Sequence, residues 1–90
     1  MILVHDFLWD DHNIDHIARH HVKPEEVEEI FESPYYLRHL WGNRYIAYGR
    51  SQAGRHLFVA FDCEKHQVAC ATARNMTNTE KKLYKRKMGK

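Results

Sequence analysis

Apolar positions recur along this chain with two different periods, and the change of period divides it into helical and extended stretches. Residues 2–9 open on an apolar run that reads as a short edge strand. Ile14, Ile17 and Ala18 then fall at helical spacing behind Asp10 or Asp11, either of which can cap a first turn, so a helix is expected as far as His20-His21. Pro24 suits the first position of a second helix, where its missing N–H costs nothing. Glu25 and Glu26 follow in the first turn, where the helix dipole favours negative charge. Val27, Ile30 and Phe31 supply the buried stripe, and Ser33-Pro34 stops the helix.

From there the period becomes two. Residues 35–40 are rich in aromatics, Trp41-Gly42-Asn43 makes a turn, and residues 44–50 alternate, with Tyr45 and Ala47 on one side and Ile46 and Tyr48 on the other. Ser51 to Gly54 turns the chain back at Arg55. Leu57, Val59 and Phe61 alternate with the equally apolar Phe58 and Ala60, so this strand is expected to be central and buried on both faces. Residues 64–67 turn again, and residues 68–73 form the last strand. Thr77 and Glu80 stand in capping-box spacing and open a final helix, which Leu83, Tyr84 and Met88 would dock. The expected fold is α+β in a single domain spanning residues 1–90: two N-terminal helices, an antiparallel sheet of about four strands with sequence neighbours paired, and a C-terminal helix. Tyr35, Tyr36 and Trp41 read either as a partner surface or, the favoured reading, as a strand face covered by the helices.

A chain of 90 residues forms one modest core. The short apolar start runs straight into Asp6, which is no secretory signal, and no apolar run approaches the length that spans a bilayer, so a cytoplasmic protein without membrane contact is expected. A hairpin turning at residues 64–67 sets Cys70 opposite Phe61 rather than opposite Cys63, so both cysteines are expected as free thiols. Charge is unevenly spread. Residues 1–33 hold nine acidic and two basic side chains, residues 34–73 five basic and two acidic, and residues 74–90 seven basic and one acidic. One end of the molecule should repel phosphate and the other attract it.

The arginines sharpen that expectation. Arg50 ends one strand, Arg55 begins the next, and Arg74 ends the strand paired with it, which brings all three to one edge of a meander beside the opening turn of the last helix. Guanidiniums and free helix N–H groups together suit phosphate. His56, Glu80 and Tyr84 are the nearby groups able to move protons. Each also has a plain structural role open to it: an exposed strand position for His56, the capping box for Glu80, helix docking for Tyr84. His12, His16 and His20 share a helical face, and His16 and His20 have a spacing that zinc ligands use. However, Ile17 stands where the zinc-protease motif requires Glu, and no cysteine pair completes a finger, so neither a metal nor another cofactor is expected.

Several runs, taken in order, resemble one known family. Trp9-Asp10, Asn13-Ile14, His16 to His20 and Pro24 to Glu29 are similar to the opening of BrnT-type toxins. Gly49-Arg50, Gly54-Arg55 and Leu57-Phe58-Val59 are similar to its central strands, and Ala73 to Thr77 with Glu80 and Tyr84 to its closing strand and helix. Two positions depart from its pattern: His21 stands where Gly usually caps the helix, and Lys81 where Arg usually follows the Glu. The resemblance implies a RelE-like fold and the toxin component of a type II toxin–antitoxin module. It further implies a BrnA-like antitoxin partner, through which alone the complex would reach operator DNA. Its functional positions map onto Arg50, Arg74, Glu80 and Tyr84.

The chemistry then expected is metal-independent RNA cleavage that inhibits translation. Arg50 and Arg74 would hold the phosphate, Glu80 or His56 would take the 2′-OH proton, and Tyr84 or His56 would protonate the leaving oxygen. Arg55, Lys81 and Lys82 would bind the flanking backbone. The alternative is a non-catalytic module of the same fold that uses this basic edge only to bind nucleic acid or an antitoxin.

Overall fold

The computed structural model describes Val4 and residues 6–89, so the part of the expected edge strand at residues 2, 3 and 5 lies outside the described residues. The elements run β1 (Asp6–Leu8), α1 (Asp11–Ala18), α2 (Pro24–Ile30), β2 (Tyr36–Trp41), β3 (Arg44–Arg50), β4 (His56–Glu64), β5 (Gln67–Asn75) and α3 (Asn78–Lys87). Asp10 caps α1 by accepting from the N–H of Asn13 at 2.8 Å. His21 adopts φ 60 beyond its end, the left-handed position that a glycine would otherwise take. Pro24 opens α2, and the Glu26 carboxylate accepts from the N–H of Lys23 at 3.0 Å. Lys23 has no acceptor to return, so only half of a reciprocal cap forms there. At α3 both halves form: Glu80 N–H donates to Thr77 Oγ1 at 3.1 Å and Thr77 N–H donates to Glu80 Oε1 at 2.9 Å.

The fold is α+β, with three helices and a five-stranded mixed sheet of order β1-β5-β4-β3-β2 among the described residues. This corrects the expected antiparallel sheet of about four strands: the edge strand expected within residues 2–9 is β1, and it joins the same sheet in parallel. Strands β2 to β5 form the antiparallel meander that short turns dictate. β1 is added in parallel at the far side of β5, with Phe7 opposite Val68. It covers an edge that would otherwise present unpaired backbone groups, and its Phe7 ring reaches the core against Phe31 at 5.6 Å.

β4 is the middle strand, as its two apolar faces require. Leu57, Val59 and Phe61 face α1 and α2 together with Ile17, Val27, Ile30 and Cys70. Ala60 and Phe58 lie on the α3 side with Tyr48, Met76 and Tyr84, and Leu83 and Met88 complete the docking of α3. A Cβ on Gly49 would stand 2.9 Å from Ile30 Cβ, so the bare glycine is what lets α2 approach β3 this closely. Cys70 pairs with Phe61 and Cys63 with Val68, and both thiols are free. Tyr35 and Tyr36 are half-buried, but Trp41 is 69% exposed at the end of β2, so the expected cover does not extend to it.

One irregularity bears on the site. Cys70 opposes Phe61 but Thr72 opposes Ala60, so Ala71 is an extra residue in β5. Beyond this bulge Arg74 pairs with Phe58. Without it Arg74 would pair with Leu57 and point to the opposite face of the sheet.

Candidate active site

β3 ends, β4 begins and β5 ends at the same end of the sheet. Arg50 and His56 are cross-strand partners there, and Leu57 pairs with Asn75. The N–H of Met76 donates to the His56 carbonyl at 3.1 Å, which leads the chain directly from β5 into the Thr77 cap of α3. Helical spacing then turns Lys81, Tyr84 and Lys85 to one side of α3. The Tyr84 ring packs edge-on against His56, with centroids 5.7 Å apart and planes at 84°. Burial lowers the His56 pKa below the usual histidine range, and the positive charges of Arg50, Lys81 and Lys85 lower it further. The shift favours the neutral imidazole, the form able to accept a proton, and the same cations suit an anionic ligand.

Two shallow depressions meet at Gly54. One, of about 440 Å³, is bordered by Arg50, Ser51, Tyr84 and Met88. The other, of about 370 Å³, is bordered by Arg55, His56, Asn75, Met76 and Lys81. A chain laid across this end of the sheet would pass over His56 with cations on both sides.

The three arginines do not converge, which corrects the arrangement expected of them. Arg55 immediately precedes β4, and its side chain leaves toward α1 and α2 while that of His56 lies on the α3 side. Its Nη1 donates to the His21 carbonyl at 2.6 Å and to Glu26 Oε1 at 3.0 Å, its Nη2 to the His20 carbonyl at 3.2 Å, and its Nε to Asn75 Oδ1 at 2.7 Å. The guanidinium is thus committed to the corner between α1 and α2. Arg74 lies on the α3 side but is closed on Glu80, with Nη1–Oε1 2.8 Å and Nη2–Oε2 3.0 Å, and its Cζ sits 3.9 Å above the Phe58 ring. That bidentate pair holds the Glu80 carboxyl below its ordinary range, outweighing the opposing effect of burial, and the Thr77 cap adds to it. Of the two candidate bases, His56 is the one left free.

Lys82 is exposed and is not among the charges acting on His56, whereas Lys85 is. Sequence reasoning misses Lys85, although its place four residues after Lys81 is the available signal. Burial raises the Cys63 thiol and pushes Cys70 up to about 12, so neither is poised as a nucleophile. His16 and His20 pack with ring centroids 6.3 Å apart. Among the described residues no three His, Cys, Asp or Glu side chains are grouped so as to hold a metal ion, and no helix is long and apolar enough to cross a membrane. The fold and this cluster define the chain as a small α+β domain with a cationic, histidine-centred site. Compared with known proteins, it matches no protein-family model and no curated protein.

Proposed function

We propose that this domain is a metal-independent endoribonuclease, the RelE-like toxin of a BrnT-type toxin–antitoxin module acting in the cytoplasm. The observation that carries the reading is His56 packed edge-on against Tyr84, its pKa lowered by burial and by the positive charges of Arg50, Lys81 and Lys85. His56 takes the proton of a ribose 2′-OH. The freed oxygen forms a bond to the adjacent phosphorus as the P–O5′ bond breaks. Tyr84 delivers a proton to the departing 5′ oxygen and recovers one from the His56 imidazolium. The products are a 2′,3′-cyclic phosphate and a 5′-OH. Arg50, Lys81 and Lys85 stabilise the charge that grows on the phosphate, one such donor being worth about 2.7–4 kcal/mol. Arg74 and Glu80 frame the site as a closed pair. A BrnA-like antitoxin is the partner on this reading, and operator DNA is reached only through it.

The test is incubation of the full chain with RNA in EDTA, with His56→Gln alongside. Cleavage by the native chain that ends in a cyclic phosphate and is lost in the variant supports the proposal. One observation favours the non-catalytic reading: Arg74 neutralises Glu80, which leaves a single imidazole as the free proton acceptor. RNA that is bound equally by both proteins and cut by neither would establish that reading instead.

A further inference from the structure

Arg55 joins elements that are far apart in the chain. Its backbone closes the β3–β4 turn: Ser51 N–H donates to the Arg55 carbonyl at 2.9 Å, and Arg55 N–H donates to Ser51 Oγ at 3.1 Å. Its side chain then leaves toward α1 and α2 while His56, the next residue, faces α3. Three of the four side-chain bonds grip the α1–α2 corner, at the carbonyls of His20 and His21 and at Glu26. The fourth reaches the amide oxygen of Asn75, the last residue of β5. Directly after Asn75 the chain donates from Met76 to the His56 carbonyl and enters the cap of α3. The planar fork of arginine holds these directions together, which a lysine ammonium would not.

We propose that Arg55 is a positioning residue: by tying Asn75 to the α1–α2 corner it fixes the junction of β5 with α3, and so sets where α3 carries Lys81 and Lys85 relative to His56. The inference rests on the reading of His56 as the proton-accepting centre, and it replaces a direct contact of Arg55 with RNA by action through the backbone. The charged and titratable groups that face His56 are Arg50 from β3 and Lys81, Tyr84 and Lys85 from α3, while β5 offers Arg74, closed on Glu80. If the junction loosens, the two lysines withdraw, the charged imidazole becomes less unfavourable, and His56 titrates at higher pH.

The test is an NMR titration of the His56 ring in the full chain, assigned by its loss in His56→Gln. Asn75→Ala cuts the link to β5 and leaves the grip on α1 and α2. Glu26→Gln weakens that grip, keeps an acceptor for the Lys23 N–H, and leaves the Asn75 link. The expected result is a His56 midpoint displaced to higher pH in Asn75→Ala and displaced less in Glu26→Gln, where the His20 and His21 carbonyls still hold the guanidinium. An unmoved midpoint in Asn75→Ala, or an equal displacement in Glu26→Gln, overturns the inference. Arg55→Lys retains the charge and loses the fork. It is expected to follow Asn75→Ala, and it decides the matter if Asn75→Ala does not fold. The titration needs no RNA, so a native chain that cuts nothing defeats the proposed function and still leaves this coupling to be judged. Where RNA is cut, the acid limb of the pH–rate profile should move with the midpoint, which a general loss of active protein would not produce.

Discussion

Replacing His56 and Glu80, each by glutamine, separates the two groups able to take a proton from the 2′-OH. The Glu80 carboxylate accepts from Arg74 at 2.8 and 3.0 Å and from the Thr77 N–H at 2.9 Å. To act as a base it would first have to give up bonds to a charged donor, each worth roughly 1.5–3 kcal/mol, and its lowered pKa makes it a weak base once released. His56 has no such commitment. His56→Gln should therefore remove the whole general-base contribution, roughly 10²–10⁴ in kcat, or about 3–5 kcal/mol of barrier. Glu80→Gln keeps an oxygen for the Thr77 cap and loses the charge opposite Arg74. Because the Arg74 side chain is 33% exposed, that charge contributes only about 1 kcal/mol after solvent screening. For a chain of this size the melting temperature should fall by roughly 4–8 °C, with kcat within about tenfold of the native value. The assay is cleavage of a short labelled RNA in EDTA, run well below the melting point of each protein. A Glu80→Gln protein that is folded yet as inactive as His56→Gln would return the base to Glu80 and refute the argument.

Four further outcomes follow from the same geometry. Cleavage should fall as pH drops through the depressed His56 pKa, and Lys81→Met with Lys85→Met should move that limb to higher pH, since fewer cations then oppose protonation; a pH–rate series checks the direction. The same double variant should reduce the slope of log affinity against log salt by about 0.7 for each phosphate the lysines no longer neutralise, read by fluorescence anisotropy on single-stranded RNA. Glu80 has a depressed folded pKa, so its contribution to stability is present above the unfolded carboxylate range and is lost as pH falls through the folded value; the stability gap between the native chain and Glu80→Gln should close toward low pH in urea titrations. Gly49→Ala sets a Cβ 2.9 Å from Ile30 Cβ and 3.3 Å from Tyr35 Cβ, where carbon atoms prefer roughly 3.5–4.0 Å, and the overpacking should cost about 1–3 kcal/mol by denaturant unfolding.

Local patterns make most of the elements legible. Asp10, Pro24 and the Thr77–Glu80 pair mark helix starts through bonds or missing donors within one turn. The apolar alternation of β4 carries its central place, and the turn at residues 64–67 carries the pairing of Cys70 with Phe61. β1 is legible as an edge strand, but its parallel pairing with β5 is not, because that partner lies about sixty residues away and no turn joins them. The failure of the three arginines to converge is half legible. Adjacent residues where a strand begins tend to face opposite ways, as Arg55 and His56 do, and only grouping by strand end conceals it.

The face taken by Arg74 is not legible, and the reason is steric indifference. Residues 69–73 read Ala-Cys-Ala-Thr-Ala, small side chains that either register can bury, so the pattern does not resist a slip of one position. The bulge at Ala71 takes that freedom and turns Arg74 onto the α3 side, where it meets Glu80. The chemistry of the site depends on this one residue. In the unbulged register Arg74 would join Arg55 on the side of α1 and α2, and the Glu80 carboxylate would lose its guanidinium. An unpaired carboxylate at the start of α3 would be a second group able to take a proton. The extra residue in β5 thus closes one carboxylate and leaves a histidine as the group able to take a proton.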